Sequence, residues 1–241
     1  MSDQVKSKQR VADHGEVFTA DREVNAMLDL VKQETERVDS RFLEPACGDG
    51  NFVAEILRRK LTAAKRRSIP PRKKKPLPIE FEKQSVMAVA SIYGVDLLMD
   101  NVLACRERLY NIWNNEYENI CQNEINEECR EAVRFILSRN IVCGNALSLK
   151  TVDDKGNDTE NPIIFSEWSF VAGTKIQRKD FRFDKLLAGD YSPKKEQQKE
   201  ESTNDPSQLD LFAAPEEKPS DEGEFLTSYV TDYRSVQKYG Q

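Results

Sequence analysis

Residues able to do chemistry are concentrated in one stretch, Phe42-Leu43-Glu44-Pro45-Ala46-Cys47-Gly48-Asp49-Gly50-Asn51-Phe52. A short apolar run ending at a proline, then two glycines, then a new apolar periodicity spell strand, tight turn and helix. Such a turn aims backbone N–H groups from a helix N-terminus at whatever sits above the strand, and glycine permits the unusual angles and close approach this requires. The third glycine of the dinucleotide-binding turn is absent, so this is not the turn of a dinucleotide enzyme. Metal chemistry is not expected. The single histidine, His14, has no partner, and the five cysteines (Cys47, Cys105, Cys121, Cys129, Cys143) form no Cys-x-x-Cys pair. They read as reduced, mostly buried thiols.

The formal net charge of -6 at first suggests a chain that avoids nucleic acid, but the charge is segregated. Residues 58–75 hold ten basic side chains and no acidic one, and residues 190–224 hold eleven acidic and four basic. The first block has two readings: a solvated loop, or a phosphate-binding patch in which Lys65, Arg66, Arg67, Arg72, Lys73, Lys74 and Lys75 follow a DNA backbone. The prolines at 70, 71, 76 and 78 make residues 58–78 an extended, exposed loop in this reading.

The elements that position these residues follow from periodicity. Glu23 to Lys32 carries Val24, Met27, Leu28 and Val31 at helical spacing, and Phe52, Val53, Ile56, Leu57 and Leu61 mark the inner face of a second helix. Ile79 to Ser91 is a third. Ala90 to Leu97 is a strand ending at Asp96, and Asp100 is placed to cap a helix running to about Tyr117. A further helix spans Asn126 to Leu137, and Asn140 to Cys143 is a strand entering Gly144-Asn145-Ala146. Alternating strands and helices predict a parallel sheet in an α/β fold. After Leu149 the alternation stops. Pro162 to Val171 and Thr174 to Phe183 read as two strands around Ala172-Gly173. Gly189 to Gly223 has the composition of a disordered segment. Phe225, Leu226, Tyr229, Val230 and Tyr233 form a last apolar patch, read as a short docking helix.

The Leu-Glu-Pro-Ala-Cys-Gly-Asp-Gly-Asn-Phe stretch resembles the first motif of the amino-methylating DNA methyltransferases of restriction–modification systems, whose loop wraps the methionine part of S-adenosylmethionine. Gly15-Glu16-Val17-Phe18-Thr19, with Val24 and Met27-Leu28, is similar to the segment preceding that motif in the adenine-N6 group, although Ala20 stands where proline is usual. Tyr93-Gly94-Val95-Asp96 resembles the second motif, and Ile141-Val142-Cys143-Gly144-Asn145-Ala146-Leu147 the third, with Asn145 in place of aspartate. The four segments cover roughly residues 14–150 in the family's order.

The resemblance implies a Rossmann-like class I methyltransferase fold, cytoplasmic and without a membrane partner, with S-adenosylmethionine as cofactor and DNA as partner. Thr19 would contact the cofactor carboxylate, Asp96 the ribose hydroxyls and Asn145 the adenine, while Glu44, Ala46, Gly48 and Gly50 shape the methionine site. The family's catalytic tetrapeptide, Asn/Asp/Ser-Pro-Pro-aromatic, is missing: Pro70-Pro71 is followed by Arg72, and Asn161-Pro162 by Ile163-Ile164. Ser166, Glu167 and Trp168 do not match it, so no catalytic residue is assigned. With three good strands the sheet is incomplete. The edge of the first strand needs cover from the 162–183 segment or from another chain.

Gln208-Leu209-Asp210-Leu211-Phe212, between Pro206 and Pro215, places apolar side chains where no core exists. It resembles the pentapeptide by which DNA-metabolising proteins bind the bacterial DNA polymerase sliding clamp. The expected organisation is a cofactor-binding domain over 1–188, a disordered acidic linker carrying the pentapeptide over 189–224, and a docking segment over 225–241. Two functions remain open. One is an adenine-N6 methyltransferase subunit working with a second methyltransferase or restriction subunit. The other is a non-catalytic adaptor that tethers a partner to the clamp.

Overall fold

A computed structural model describes residues 19–187 and 226–239. Helix α1 (Asp21–Leu30) and the one-turn α2 (Lys32–Thr35) lead into strand β1 (Phe42–Glu44). Val24 and Leu28 of α1 are buried, whereas Met27 and Val31, expected on the inner face, are exposed. Helix α3 (Asn51–Arg67) follows the glycine turn. Helix α4 (Pro78–Ala90) starts on a proline, which loses no helical hydrogen bond at that position. Strand β2 (Ile92–Asp96), helix α5 (Met99–Cys121), helix α6 (Glu127–Asn140) and strand β3 (Ile141–Cys143) complete the alternation.

The expected parallel sheet is present, in the order β1-β2-β3. Phe42 pairs with Ile92 and Glu44 with Gly94, and Gly94 pairs with Ile141 on the other side. Side chains alternate between two apolar layers. Ile92 and Ile141 enter the main core with the helices, and Tyr93 and Val95 enter a smaller one with Ile163, Phe165 and Phe183. The 162–183 segment therefore covers one face of β2. It does not cover β1, whose Leu43 stays 41% exposed.

Three expectations need correction. Residues 58–67 are not loop but the second half of α3, because the prolines act only from position 70 onward. Lys60, counted there among exposed cations, is fully buried. Its ammonium donates to the carbonyls of Arg37 at 3.0 Å and Val38 at 3.1 Å, to that of Ser40, and to Ser91 Oγ at 2.8 Å. Arg58 and Arg59 pair with Glu55 on their own helix. Only Ser68 to Leu77 is loop, closed where Leu77 N–H donates to the Ser68 carbonyl at 2.9 Å.

Second, Asp100 is not the cap of α5 but lies within its first turn; the N-cap is Leu98, with no side-chain cap. The Asp96 Oδ1 accepts from Leu98 N–H at 2.9 Å and from Asn101 Nδ2 at 3.2 Å. Third, the described part of the last apolar patch is not an α-helix: Tyr229 and Val230 lie in a strand and Tyr233 in the 3-10 turn after it. After β3 come an unanticipated hairpin, β4 (Lys150–Val152) with β5 (Asp158–Pro162), and the anticipated one, β6 (Ile164–Ala172) with β7 (Lys175–Arg182). The short helix α7 (Phe183–Leu187) follows, and then β8 (Thr227–Asp232) pairs antiparallel with β7. A 3-10 turn over Tyr233–Lys238 seats this strand on the helices. There the buried Glu82 carboxylate accepts from Tyr117 Oη at 2.7 Å, Tyr233 Oη at 2.5 Å and Arg234 Nε at 2.5 Å. A buried charge is tolerated when it is paired and hydrogen-bonded in this way.

Among the described residues no helix is long and apolar enough to cross a membrane.

Candidate functional site

The glycine turn is built from its backbone outward. Cys47 N–H donates to the Val95 carbonyl and Gly50 N–H to the Cys47 carbonyl, both at 2.9 Å. Gly48 has φ 53° and Gly50 φ 94°, left-handed values that cost other residues of the order of 1 kcal/mol or more. At Gly50 space is decisive as well, since a Cβ there would lie 2.7 Å from Cys105 Sγ. Gly94, in the middle of β2, leaves room for Cys47, whose Sγ would sit 3.0 Å from an added Cβ. The Cys47 thiol is pushed well up, first by its hydrogen bond with Cys105 and then by burial. It is a packing group and not a nucleophile.

Sequence-distant residues meet at the ends of the parallel strands. Gly48 N–H donates to Asp96 Oδ2 at 2.9 Å, which ties the turn after β1 to the end of β2. Beside this bond lies a cavity of about 510 Å³. Thr19, Glu44, Ala46, Gly48, Asp96 and Asn145 all line it, six of the seven residues expected to hold the cofactor. Gly50 is absent from the lining because it lies behind the turn, against Cys105. Phe52, Leu97, Leu98, Ala146 and Leu147 supply apolar walls, and Asn51 and Asn101 further polar groups.

The charges of the site are two carboxylates. Asp96 accepts three protein hydrogen bonds, which leaves roughly one of the four acceptor positions of a carboxylate for a ligand. Burial raises the Glu44 carboxyl above its ordinary value, opposed by the Ala46 N–H at 3.4 Å.

Asn145, expected to contact the adenine, has its side chain engaged within the protein. Its Oδ1 accepts from Leu147 N–H at 3.0 Å and Ser148 N–H at 3.4 Å, and its Nδ2 donates to Asp158 Oδ1 at 3.0 Å. An aspartate here would set two carboxylates against each other, which explains the amide. Sequence reading missed Arg108 on α5, which donates to Asn51 Oδ1 at 2.6 Å and Asp49 Oδ2 at 2.7 Å. Asn51 in turn donates to the Thr19 carbonyl at 3.1 Å, so one arginine fixes both the turn and the segment before α1. Its sequence signal is only a basic residue on an otherwise amphipathic helix.

The seven candidate DNA-contacting cations are all exposed. They do not share a surface with the cavity. Lys65, Arg66 and Arg67 form the last turn of α3, and Arg72 to Lys75 belong to the loop beyond it. At 1.5 Å per residue, α3 carries them about 24 Å from the turn at its start. Among the described residues one ion pair engages this set, Lys65 with Glu116 at 4.0 Å. Lys73 N–H donates to the Pro70 carbonyl at 3.0 Å in a turn that holds Arg72 at φ 66°. The two prolines therefore present Arg72 on a stiff, left-handed turn tip.

Ser166, Glu167 and Trp168 lie in β6, away from the cavity. Ser166 Oγ donates to Asp180 Oδ1 at 2.6 Å, Trp168 Nε1 donates to Asn140 Oδ1 at 3.1 Å, and Glu167 pairs with Arg41. The pentapeptide Gln208, Leu209, Asp210, Leu211 and Phe212 falls outside the described residues, as do the whole acidic linker 189–224 and Gly15 to Phe18. Comparison of the chain with protein-family models, with curated proteins and with solved structures yields no match.

Proposed function

We propose that this chain is the S-adenosylmethionine-binding part of a DNA adenine-N6 methyltransferase of restriction–modification type, acting in the cytoplasm together with another subunit. The observation that carries the reading is the 2.9 Å bond from Gly48 N–H to Asp96 Oδ2 on the wall of a 510 Å³ cavity. It joins the turn that would hold the methionine part to the carboxylate that would hold the ribose. A cavity of this size, mostly apolar with a few convergent polar groups, suits a nucleoside-sized ligand. The residues fit the cofactor in other respects. Asp96 retains acceptor capacity, Glu44 offers a carboxylate near a sulfonium cation, and Phe52, Leu98 and Ala146 can flank a purine. When bound, the cofactor supplies an electrophilic methyl group. The chain's own residues bind and orient it and shield it from water.

The strand order supports the same reading. In a doubly wound sheet ordered 3-2-1-4, the ligand sits at the switch point beside strand one. Here β3-β2-β1 is followed by no further strand among the described residues. What would orient a target amine is likewise missing from the cavity lining, so the lone chain is expected to bind cofactor without methylating. Transfer of labelled methyl groups to duplex DNA tests this. Incorporation by the lone chain would show that it holds its own acceptor-orienting residues.

A second reading, a tether to the sliding clamp, is favoured by the anchoring on either side of the linker. Phe183 N–H donates to the Ile163 carbonyl at 2.8 Å and Leu226 N–H to the Asp180 carbonyl at 2.9 Å. Gln208 to Phe212 thus lies between two fixed points of one sheet. Retention on immobilised clamp, compared with Leu211 and Phe212 changed to alanine, tests it, and equal retention would remove it.

A further inference from the structure

We infer that the loop from Ser68 to Leu77 reads the minor groove of A·T-rich duplex DNA, with Arg72 as the side chain that enters the groove. This deepens the DNA part of the proposed function and rests on it; the cofactor cavity plays no role. The starting point is a strained residue. Pro70 to Lys73 is a turn closed by a backbone hydrogen bond, with proline second and a φ of 66° at Arg72, third. That third position normally belongs to glycine or asparagine. Arginine there carries a backbone cost that a merely solvated loop has no reason to bear. The base of the loop is fixed as well. Leu77 N–H returns to the Ser68 carbonyl at 2.9 Å, and the buried Ser68 donates its hydroxyl to the Ala64 carbonyl at 2.7 Å. Arg72 therefore stands at the tip of a short, closed loop beyond the end of α3.

The surroundings narrow the ligand. Lys65, Arg66 and Arg67 precede the loop, Lys73, Lys74 and Lys75 follow its tip, and all are exposed. Among the described residues only Lys65 of this set has an ion-pair partner. One narrow tip with cations on both sides of it along the chain suits a groove walled by two phosphate backbones. The major groove, about 12 Å wide, admits a helix or a two-stranded ribbon. Ser68 to Leu77 contains neither. The minor groove, about 6 Å wide and about 7.5 Å deep, can take a single extended side chain. Over A·T runs it is narrowest and most negative, which favours an inserted arginine. Duplex RNA fits worse, because its minor groove is wide and shallow. The chain carries -6 overall despite ten basic side chains over 58–75, so the remainder is net acidic and steers a duplex to this patch.

The test is fluorescence anisotropy of the full-length chain at one fixed salt concentration, on short duplexes of equal length. The probes are DNA with an A·T centre, DNA with a G·C centre, the same G·C duplex with inosine for guanine, and RNA. The A·T centre should bind about tenfold tighter than the G·C centre. Inosine removes the 2-amino group from the minor groove and leaves the major-groove edge of guanine intact, so it should restore the tighter binding. Arg72→Gly suits a positive φ and should abolish the preference while leaving binding to the G·C duplex within about threefold, since the remaining cations still meet phosphates. The inosine comparison needs no variant and stands if Arg72→Gly fails to fold, as judged by circular dichroism. Equal affinity for the A·T and G·C centres, inosine behaving as guanine, a preference that survives Arg72→Gly, or RNA bound as tightly as A·T DNA would overturn the proposal. Each of these leaves DNA binding itself in place, whereas no binding to any duplex would overturn the DNA reading along with it.

Discussion

The two ends of helix α3 differ in almost every respect. At its start, Gly48 and Gly50 adopt left-handed angles, a carboxylate accepts a backbone N–H, and a cavity opens between three strands. At its end there are exposed cations and a proline-stiffened turn. In the sequence the glycine turn and the basic block are neighbours, and it is tempting to join them into one DNA-and-cofactor surface. The helix between them sets them about 24 Å apart. Proximity along a helical chain therefore says nothing about a shared site.

This separation gives independent ways to perturb each end. The largest effect is expected from Gly50→Val. A β-branched residue at φ 94° whose Cβ would meet Cys105 Sγ at 2.7 Å combines backbone strain with overpacking, together about 3 kcal/mol. Denaturant unfolding should show that loss, and cofactor binding should vanish with it. Next comes replacement of Arg72, Lys73, Lys74 and Lys75 by glutamine. If the loop follows phosphates, the salt dependence of duplex binding should fall by roughly three to four logarithmic units of slope. Cofactor affinity should stay unchanged, because the loop does not touch the cavity. An unaltered slope would assign the loop to solvent.

The smallest effect, read over a single pH unit, concerns Lys60, midway along the same helix. Burial lowers its pKa to about 7 from 10.5. The unfolded chain therefore holds a proton on this group that the folded chain releases between those values. Stability should accordingly rise as pH increases through that window, by up to about 1.4 kcal/mol per unit from this group. Lys60→Met should flatten the slope in pH-dependent denaturation. A slope that persists in the variant would assign it to other groups.

Much of the parallel sheet was legible because its strands are apolar and its helices periodic. The glycine turn and Asp96 were legible because turn chemistry and a strand-end carboxylate are local. What escaped depends on long-range pairing. The acceptors of Lys60 are mostly main-chain carbonyls, which leave no mark in a sequence. Asn145 looked like a free acceptor because its partner, Asp158, arrives only when the hairpin β4–β5 folds. That hairpin has few apolar residues, although Asp153 accepting from Lys155 and Asn157 N–H, with Gly156 at φ 81°, is a turn that its residue types foretell. Tyr229 and Tyr233 suit either a helix face or a strand and its continuation. The choice was made by β7, whose Arg178 lies opposite Tyr229 and donates to its hydroxyl at 3.2 Å.

Calorimetric titration of the full chain with S-adenosylmethionine, set against Asp96→Ala, probes the cavity most directly. Saturable one-site binding should appear, weakened about 10- to 100-fold in the variant, the worth of a hydrogen-bonded charged acceptor. No saturable heat with the native chain, or equal affinity in the variant, would mean that the glycine turn and Asp96 do not hold this cofactor.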